Sequence, residues 1–306
     1  MSDSSEEGRI SRLDSTVSAH GPNMCLRFYG AGGAFSRRYG TTCSGITLRD
    51  GTQWLIDCGR QAPDQLSAEN VSWHDIGGQI ITHVHGDHVF GLEDFAFSRY
   101  FHADNGVPSV REGGPRPQLM CHRAVREELW QTMAAALRYV PEPDAPTSGT
   151  LETYFEVIEP NHAEPPSPDG WAAAETFATE GLRLVARDTE HVPCKPSTSL
   201  EIDVGRGDEQ KIAWWSGDAT VMPDLLAQLE PRTTIFFHDC TFTEYPGQVH
   251  GSFQGLEALP ESLRRKIVLM HHEDDLEEHR ERAEGLGFRI AMPGHIYDLE
   301  TGERLK

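Results

Sequence analysis

The densest run of side chains able to do chemistry is Thr82-His83-Val84-His85-Gly86-Asp87-His88, directly after the apolar segment Gln79-Ile80-Ile81. Residues two apart in extended backbone point to the same side, so His83 and His85 can face a single ion. Gly86 then permits a sharp turn that returns Asp87 and His88 toward the same pocket. Imidazole nitrogens and carboxylate oxygens suit Zn2+ and its first-row neighbours. A chance histidine-rich turn, satisfied by ordinary hydrogen bonds, is the bland alternative for this segment taken alone.

Three later apolar runs each end on a residue of ligand type. Ala213-Trp214-Trp215 ends at Ser216-Gly217-Asp218, Ile235-Phe236-Phe237 at His238-Asp239, and Ile267-Val268-Leu269-Met270 at His271-His272. Open sheets place their sites at the carboxyl ends of strands, so these residues are candidates for one pocket. His191, just before the turn Pro193-Cys194-Lys195-Pro196, is a further candidate. His271 and His272 are adjacent, so strand alternation lets only one point inward, and the sequence leaves open which.

Positioning these residues requires strands that are short and bounded by turn residues. Such runs are expected at Cys25–Tyr29, Gly45–Leu48, Gln53–Ile56, Gln79–Ile81, Gln118–Cys121, Leu182–Ala186, Leu200–Val204, Lys211–Trp215, Thr234–Phe237 and Ile267–Met270. Helical periodicity fits Gly91–Phe101, Ala124–Leu137, Pro223–Leu229, Leu256–Arg265 and Leu276–Leu286. Strands interspersed with helices predict a layered α/β or α+β domain. Residues 1–22, rich in Ser and acid, read as a solvated tail, and residues 23–306 as one domain. Residues 141–180 carry nine acids, no Lys or Arg, and seven of the 19 prolines, which predicts a surface excursion or lid within that domain.

Charge limits the partners. Against 48 acidic side chains stand 27 basic ones, a net of −21, and a surface of that sign repels phosphate backbones. Long nucleic acid is disfavoured and a small substrate preferred. No apolar run approaches the ~20 residues that cross a bilayer. The cysteines at 25, 43, 58, 121, 194 and 240 form no C-x-x-C pair, which suits free thiols in a cytoplasmic setting. Gly30-Ala31-Gly32-Gly33 reads as a tight turn near the site mouth, Arg37 and Arg38 as solvated surface, and Trp214 and Trp215 as residues on alternate faces of a strand.

With these residues in place, the chain from about Cys25 to Leu299 resembles the metallo-β-lactamase-fold hydrolases. His83, His85, Asp87 and His88 match the H-x-H-x-D-H signature, and His191, Asp218 and His271 match the three later ligands. Leu55-Ile56-Asp57-Cys58-Gly59 is similar to the strand and turn that precede the site. The resemblance implies an αββα sandwich, two packed mixed β-sheets with helices outside. It further implies two divalent metal ions, Zn2+ first and Mn2+ or Fe as alternatives. His83, His85 and His191 would hold one, Asp87, His88 and His271 the other, and Asp218 would bridge.

Within that superfamily the chain is similar to the phosphodiesterase branch, which includes RNase Z-like tRNA processors and cyclic-nucleotide phosphodiesterases. Ser216-Gly217-Asp218-Ala219, His238-Asp239-Cys240-Thr241-Phe242, His250-Gly251-Ser252 and Leu269-Met270-His271 carry that likeness, although Asp239 stands where Glu is usual. The implied activity is attack on a small phosphodiester, such as a cyclic nucleotide, by a hydroxide shared between the metals. The catalytic residues would be Asp87, His250 and Asp239, with His250, held by Asp239, as proton donor. The resemblance also implies a homodimer, and His238 is expected to orient a ligand imidazole. Alternatives are hydrolysis of a lactone, thioester or β-lactam, tRNA 3′-end processing, diiron oxygen chemistry, and a non-catalytic metal-stabilised binding protein. The Pro-rich segment lacks the basic residues with which tRNA processors grip tRNA, and His85 stands where diiron oxidoreductases of this fold usually carry an acid.

Overall fold

The computed structural model describes residues 21–140, 147–165 and 173–306; the tail, apart from its last two residues, lies outside that range. In chain order the first strands are β1 (Cys25–Gly30), β2 (Cys43–Thr47), β3 (Gln53–Ile56), β4 (Ile76–Ile80) and β5 (Gln118–Met120). A small pair follows, β6 (Tyr139–Val140) with β7 (Thr147–Ser148), and then β8 (Glu156–Val157) and β9 (His162–Glu164). The remainder are β10 (Ala174–Ala178), β11 (Arg183–Asp188), β12 (Thr198–Asp203), β13 (Ile212–Trp215), β14 (Thr233–Asp239), β15 (Ile267–Met270), β16 (Arg289–Ile290) and β17 (Ile296–Asp298).

These strands make two mixed sheets. One has the order β17-β1-β2-β3-β4-β5-β8 and the other β16-β15-β14-β13-β12-β11-β10-β9. In the second sheet β13, β14 and β15 run parallel, so the residues after all three emerge along the same edge. In the first sheet β3, β4 and β5 are likewise parallel.

The continuous apolar runs have a direct cause: these strands are buried on both faces. Ala213, Trp215, Ile235, Phe237, Val268 and Met270 fill the space between the sheets. Trp214, Phe236, Ile267 and Leu269 face the opposite way, under α6 (Pro223–Leu229), α7 (Phe253–Glu257), α8 (Glu261–Arg264) and α9 (Leu276–Gly285). Trp214 and Trp215 thus occupy alternate faces, and both are core. The outer face of the first sheet is covered by α1 (Ala62–Ala68), α3 (Leu92–Phe101), α4 (Arg123–Leu137) and α5 (Leu151–Tyr154). Sheets face to face with helices outside are the αββα sandwich expected.

Two differences from the sequence reading have clear causes. The helix expected over Leu256–Arg265 is two short helices, because Pro260 is the residue that precedes α8 and cannot continue the hydrogen bonding of α7. The described parts of 141–180 are more than a surface excursion or lid. They supply edge strands to both sheets, β8 beside β5 and β9 with β10 beside β11, and bury Leu151, Tyr154, Phe155 and Phe177. Four of the nine acids belong to these elements: Glu152 to α5, Glu156 to β8, Glu164 to β9 and Glu175 to β10. The residues 141–146 and 166–172 lie outside the described range.

The inter-sheet contact is aromatic at its centre, with the Phe237 ring 5.6 Å from Phe28 and 5.4 Å from Tyr297. Phe237→Ala should therefore lower stability by about 3–5 kcal/mol through lost burial and a residual cavity. Urea unfolding would show this as a lower midpoint at an unchanged slope.

Candidate metal centre

The site forms where the carboxyl ends of both sheets meet. The sheets are joined there by backbone: Thr198 N and Oγ1 both donate to the Thr82 carbonyl at 3.0 Å, and His271 N donates to the Ala31 carbonyl at 2.8 Å. Gly33 N adds a bond of 2.9 Å to the His272 carbonyl, so the glycine turn after β1 borders the site as expected. Gly217 has φ +60°, and a Cβ there would meet the Thr198 carbonyl at 2.5 Å. Only glycine lets the chain between Ser216 and Asp218 pass that close to the other sheet.

The histidine-rich segment folds differently from the expected glycine turn. His85 is the N-cap of α2 (Gly86–Val89), and Gly86 keeps ordinary helical backbone without positive φ. One helical turn, not a reversal, brings Asp87 and His88 back toward His83. The glycine is needed for space, since a Cβ would lie 2.6 Å from the Phe90 ring.

All seven expected ligands converge. His83, His85, His191 and Asp218 form one group, and Asp87, His88, Asp218 and His271 another, with the donor atoms of each within 4.8 Å of one another. A third group, Asp218, Asp239, His250 and His271, overlaps the second. Asp218 belongs to all three: its Oδ2 lies 3.6 Å from His83 Nε2, and its Oδ1 lies 3.3 Å from His88 Nε2 and 3.4 Å from His271 Nε2.

His271 faces the cluster, whereas His272 turns away, its Nε2–H donating to the Ala291 carbonyl at 2.9 Å and its ring 4.8 Å from Tyr39. His271 adopts φ +57°, a conformation rare for a side chain of its size, which turns the imidazole into the pocket at a local backbone cost. His238 does not orient a ligand imidazole. Its Nδ1–H donates to the Asp239 carbonyl at 2.7 Å and its ring lies 5.6 Å from Trp214, on the helix side of β14.

Sequence reasoning placed Asp57 next to the site but gave it no task. It sits at φ +60° after β3 and accepts from Thr82 N at 2.9 Å, Thr82 Oγ1 at 2.8 Å and His88 Nδ1–H at 2.8 Å. Since Thr82 Oγ1 donates to Asp57, it accepts from His83 Nδ1–H at 3.2 Å. One buried carboxylate therefore fixes two imidazoles. The signal was present, an acid just past the end of an apolar strand, the same pattern that marked Asp218 and Asp239.

The donor atoms fit divalent cations. His83 and His191 donate their Nδ1–H groups outward, His191 to the Val249 carbonyl at 2.9 Å, so their Nε2 atoms present lone pairs inward. His85 Nδ1 lies 3.1 Å from His83 Nε2 and 3.3 Å from His191 Nε2, so three imidazole nitrogens converge as the ligands of one cation would. His88 Nε2 is buried without a hydrogen-bond partner. Burial lowers the pKa of His83 and His191, and brings His85 to about 4, which keeps these rings in the neutral form that binds metal. Around His88 and His271 burial acts in the same direction but is outweighed by Asp218 and its neighbouring acids, which raise both well above the usual value. That half of the site attracts positive charge.

If each donor group holds one ion, removal of His191 should cost one metal equivalent and Asp218→Ala two, as measured by metal analysis after gel filtration. Asp57→Asn should weaken retention of metal about 10–100-fold in chelator competition while leaving the fold intact. Equal loss in every variant would contradict the division into two groups.

Known proteins resemble this chain in sequence and in overall shape. The family model described as anti-Pycsar protein Apyc1 matches residues 24–292. The anti-Pycsar protein Apyc1 of Paenibacillus harenae is 31% identical over 278 residues, covering 90% of this chain and 100% of that relative. The protein of the same name from Paenibacillus sp. (strain J14) is 33% identical over 258 residues, 83% of this chain and 91% of its own. One from Bacillus phage BSP38 is 29% identical over 276 residues, with 90% and 98% covered. Among solved structures, the metallo-β-lactamase fold protein YhfI from Bacillus subtilis superposes with a TM-score of 0.63 at 15% identity, covering 90% of this chain and 99% of that one. A diphosphatase of the PhnP family superposes with 0.63 at 17% identity over 89% and 96%. At those identities the superpositions speak for the fold alone. From sequence match, architecture and convergent ligand set together, the chain belongs to the anti-Pycsar protein Apyc1 family, metal-dependent hydrolases of the metallo-β-lactamase fold.

Proposed function

We propose that the protein is a phosphodiesterase acting on a small diester of the cyclic-nucleotide class. The observation that carries this reading is the placement of His250. Its side chain is 24% exposed, whereas those of His83, His88, His191 and His271 are at most 4% exposed. Its ring lies 5.1 Å from His191 of one group and 5.1 Å from His271 of the other. It is thus the imidazole that overlooks both groups and remains open to a substrate.

His83, His85 and His191 would hold one divalent cation and Asp87, His88 and His271 the other, with Asp218 between. Such ions supply activation of water and neutralisation of charge on the phosphoryl oxygens. The chain's own work concerns a proton. His250 Nδ1–H donates to Asp239 Oδ2 at 2.7 Å, which leaves Nε2 as the nitrogen able to give a proton to the departing alkoxide. Asp239 is fully buried, and its Oδ2 also accepts from Ala219 N at 3.1 Å. Burial alone would lower the His250 pKa, but the Asp239 charge and hydrogen bond outweigh it and raise the pKa. The ring therefore holds its proton to higher pH than an ordinary imidazole does.

Three features support a small soluble diester. The matching family model is described as anti-Pycsar protein Apyc1, and Ser216-Gly217-Asp218-Ala219 with His250-Gly251-Ser252 resembles the phosphodiesterase branch of the fold. The net charge of −21 disfavours long polyanions. A buried acid paired with a half-open histidine serves an alkoxide leaving group, which needs protonation. The reading includes two Zn2+, with Mn2+ or Fe as alternatives, and a homodimer. It also places the chain in the cytoplasm, where its six free cysteines would stay reduced. No helix among the described residues is long and apolar enough to cross a membrane.

His250→Ala should reduce kcat on cyclic nucleotides about 10²–10⁴-fold with metal content unchanged. Lactone, thioester and nitrocefin turnover, assayed on the same preparation, should be absent; turnover of those substrates alone would overturn the diester reading. Because His250 acts protonated, kcat falls as pH rises through its pKa. Asp239→Asn removes the charge that raises that pKa, so the alkaline limb of the kcat profile should move to lower pH.

A further inference from the structure

His238 is fully buried and belongs to none of the three donor groups found among the described residues. Its ring donates one hydrogen bond, from Nδ1–H to the Asp239 carbonyl at 2.7 Å. The other nitrogen, Nε2, is buried without a partner, and so is Nε1 of Trp214, whose ring lies 5.6 Å away. A phenyl ring would occupy this apolar layer without an unpaired nitrogen, and an unpaired buried polar atom is destabilising. What the imidazole adds is the Nδ1–H bond.

That bond ends on the residue that holds His250. The Asp239 backbone is fixed on both sides, since its N donates to Ser216 Oγ at 2.8 Å and its carbonyl accepts from His238. The same carbonyl and the same imidazole also meet the chain next to His250. A Cβ on Gly251 would lie 2.2 Å from the Asp239 carbonyl oxygen, 2.9 Å from His238 Cε1 and 3.0 Å from His238 Nδ1, so only glycine fits there. The Gly251 carbonyl accepts from Thr241 N at 2.8 Å, and the Thr241 carbonyl from Phe253 N at 2.9 Å, which runs the segment 251–253 alongside the chain leaving β14. His250 thus reaches Asp239 Oδ2, at 2.7 Å, from a backbone seated on the His238 ring.

We propose that His238 is a positioning residue for His250, fixing the Asp239 carbonyl and seating Gly251 so that the proton donor meets the departing oxygen. The proposal rests on the diester reading above. His238 acts through Asp239 and His250, so it bears on proton delivery and leaves the attack on phosphorus alone. As the bond from phosphorus to the leaving oxygen breaks, the proton on His250 Nε2 passes to that oxygen. An alkoxide needs this proton, whereas p-nitrophenolate departs as a stable anion without it.

The test compares a 3′,5′-cyclic nucleotide with bis-p-nitrophenyl phosphate on the metal-loaded protein. His238→Phe keeps a ring and removes the N–H. It should lower kcat on the cyclic nucleotide about 10- to 100-fold, a part of what a general acid contributes, while kcat on the nitrophenyl diester stays within about twofold. His238→Asn places a side-chain N–H near the position of Nδ1 and should restore most of the cyclic-nucleotide rate. In a His250→Ala background His238→Phe should cause no further loss, because residues that act through one proton are not additive. Should His238→Phe fail to fold, as judged by urea unfolding, Gly251→Ala displaces His250 from the same seat and should give the same split between the two diesters. Equal losses on both diesters, no loss on either, or a further loss in the His250→Ala background would overturn the positioning role while leaving the diester reading standing. Turnover of neither diester by the wild type would remove the diester reading itself and this proposal with it.

Discussion

Imidazole nitrogens crowded into a buried pocket need their orientations fixed, and in this protein four of the five ligand-type rings have a partner behind them. His83 leans on Thr82, His88 on Asp57, His191 on the Val249 carbonyl, and His271 has its Nδ1 3.4 Å from Asp239 Oδ1. Each outward N–H selects the tautomer that presents the other nitrogen inward. Asp57 and Asp239 are themselves fully buried, Asp57 just after β3 of one sheet and Asp239 as the last residue of β14 in the other. The pocket is thus specified by its second layer of polar contacts, and the ligands are held in place before any ion arrives.

That second layer depends in turn on how the sheets are joined. Both bring parallel strands to the same border, and the bonds from Thr198 to the Thr82 carbonyl and from His271 to the Ala31 carbonyl fix the border as one unit. The apolar side chains packed between the sheets, with Phe237 at the centre, set their separation. Left-handed backbone at Asp57 and His271 is tolerated because these bonds and the surrounding core over-determine it. Asp57 and His271 are two of the five non-glycine residues with positive φ among the described residues.

Electrostatics divides the pocket. On the side of His83, His85 and His191 burial dominates and the rings stay neutral, whereas on the side of His88 and His271 the acids dominate and draw in positive charge. Asp239 faces both His271, its Oδ1 3.4 Å from Nδ1, and the half-open His250, its Oδ2 2.7 Å from Nδ1, so one buried carboxylate braces two rings. The acidity of the whole chain is a separate matter of surface and partners.

Much of this was legible in the order of residues. Apolar runs of strand length, each ended by Asp or His, marked β13, β14 and β15 and their ligands, because strands buried on both faces must be continuous and sites form at their carboxyl ends. The spacing within His83–His88 likewise announced a metal site through residue type alone. Other features were set by contacts remote in sequence. The inward choice of His271 over His272 follows from the backbone at β15's end, the task of Asp57 from a helical turn some thirty residues later, and the strand pairing within 141–180 from neighbours already in place. Residue types determined which atoms could bind a cation; only packing of the two sheets decided which of those atoms face one another, because orientation is set by partners that sequence proximity does not reveal.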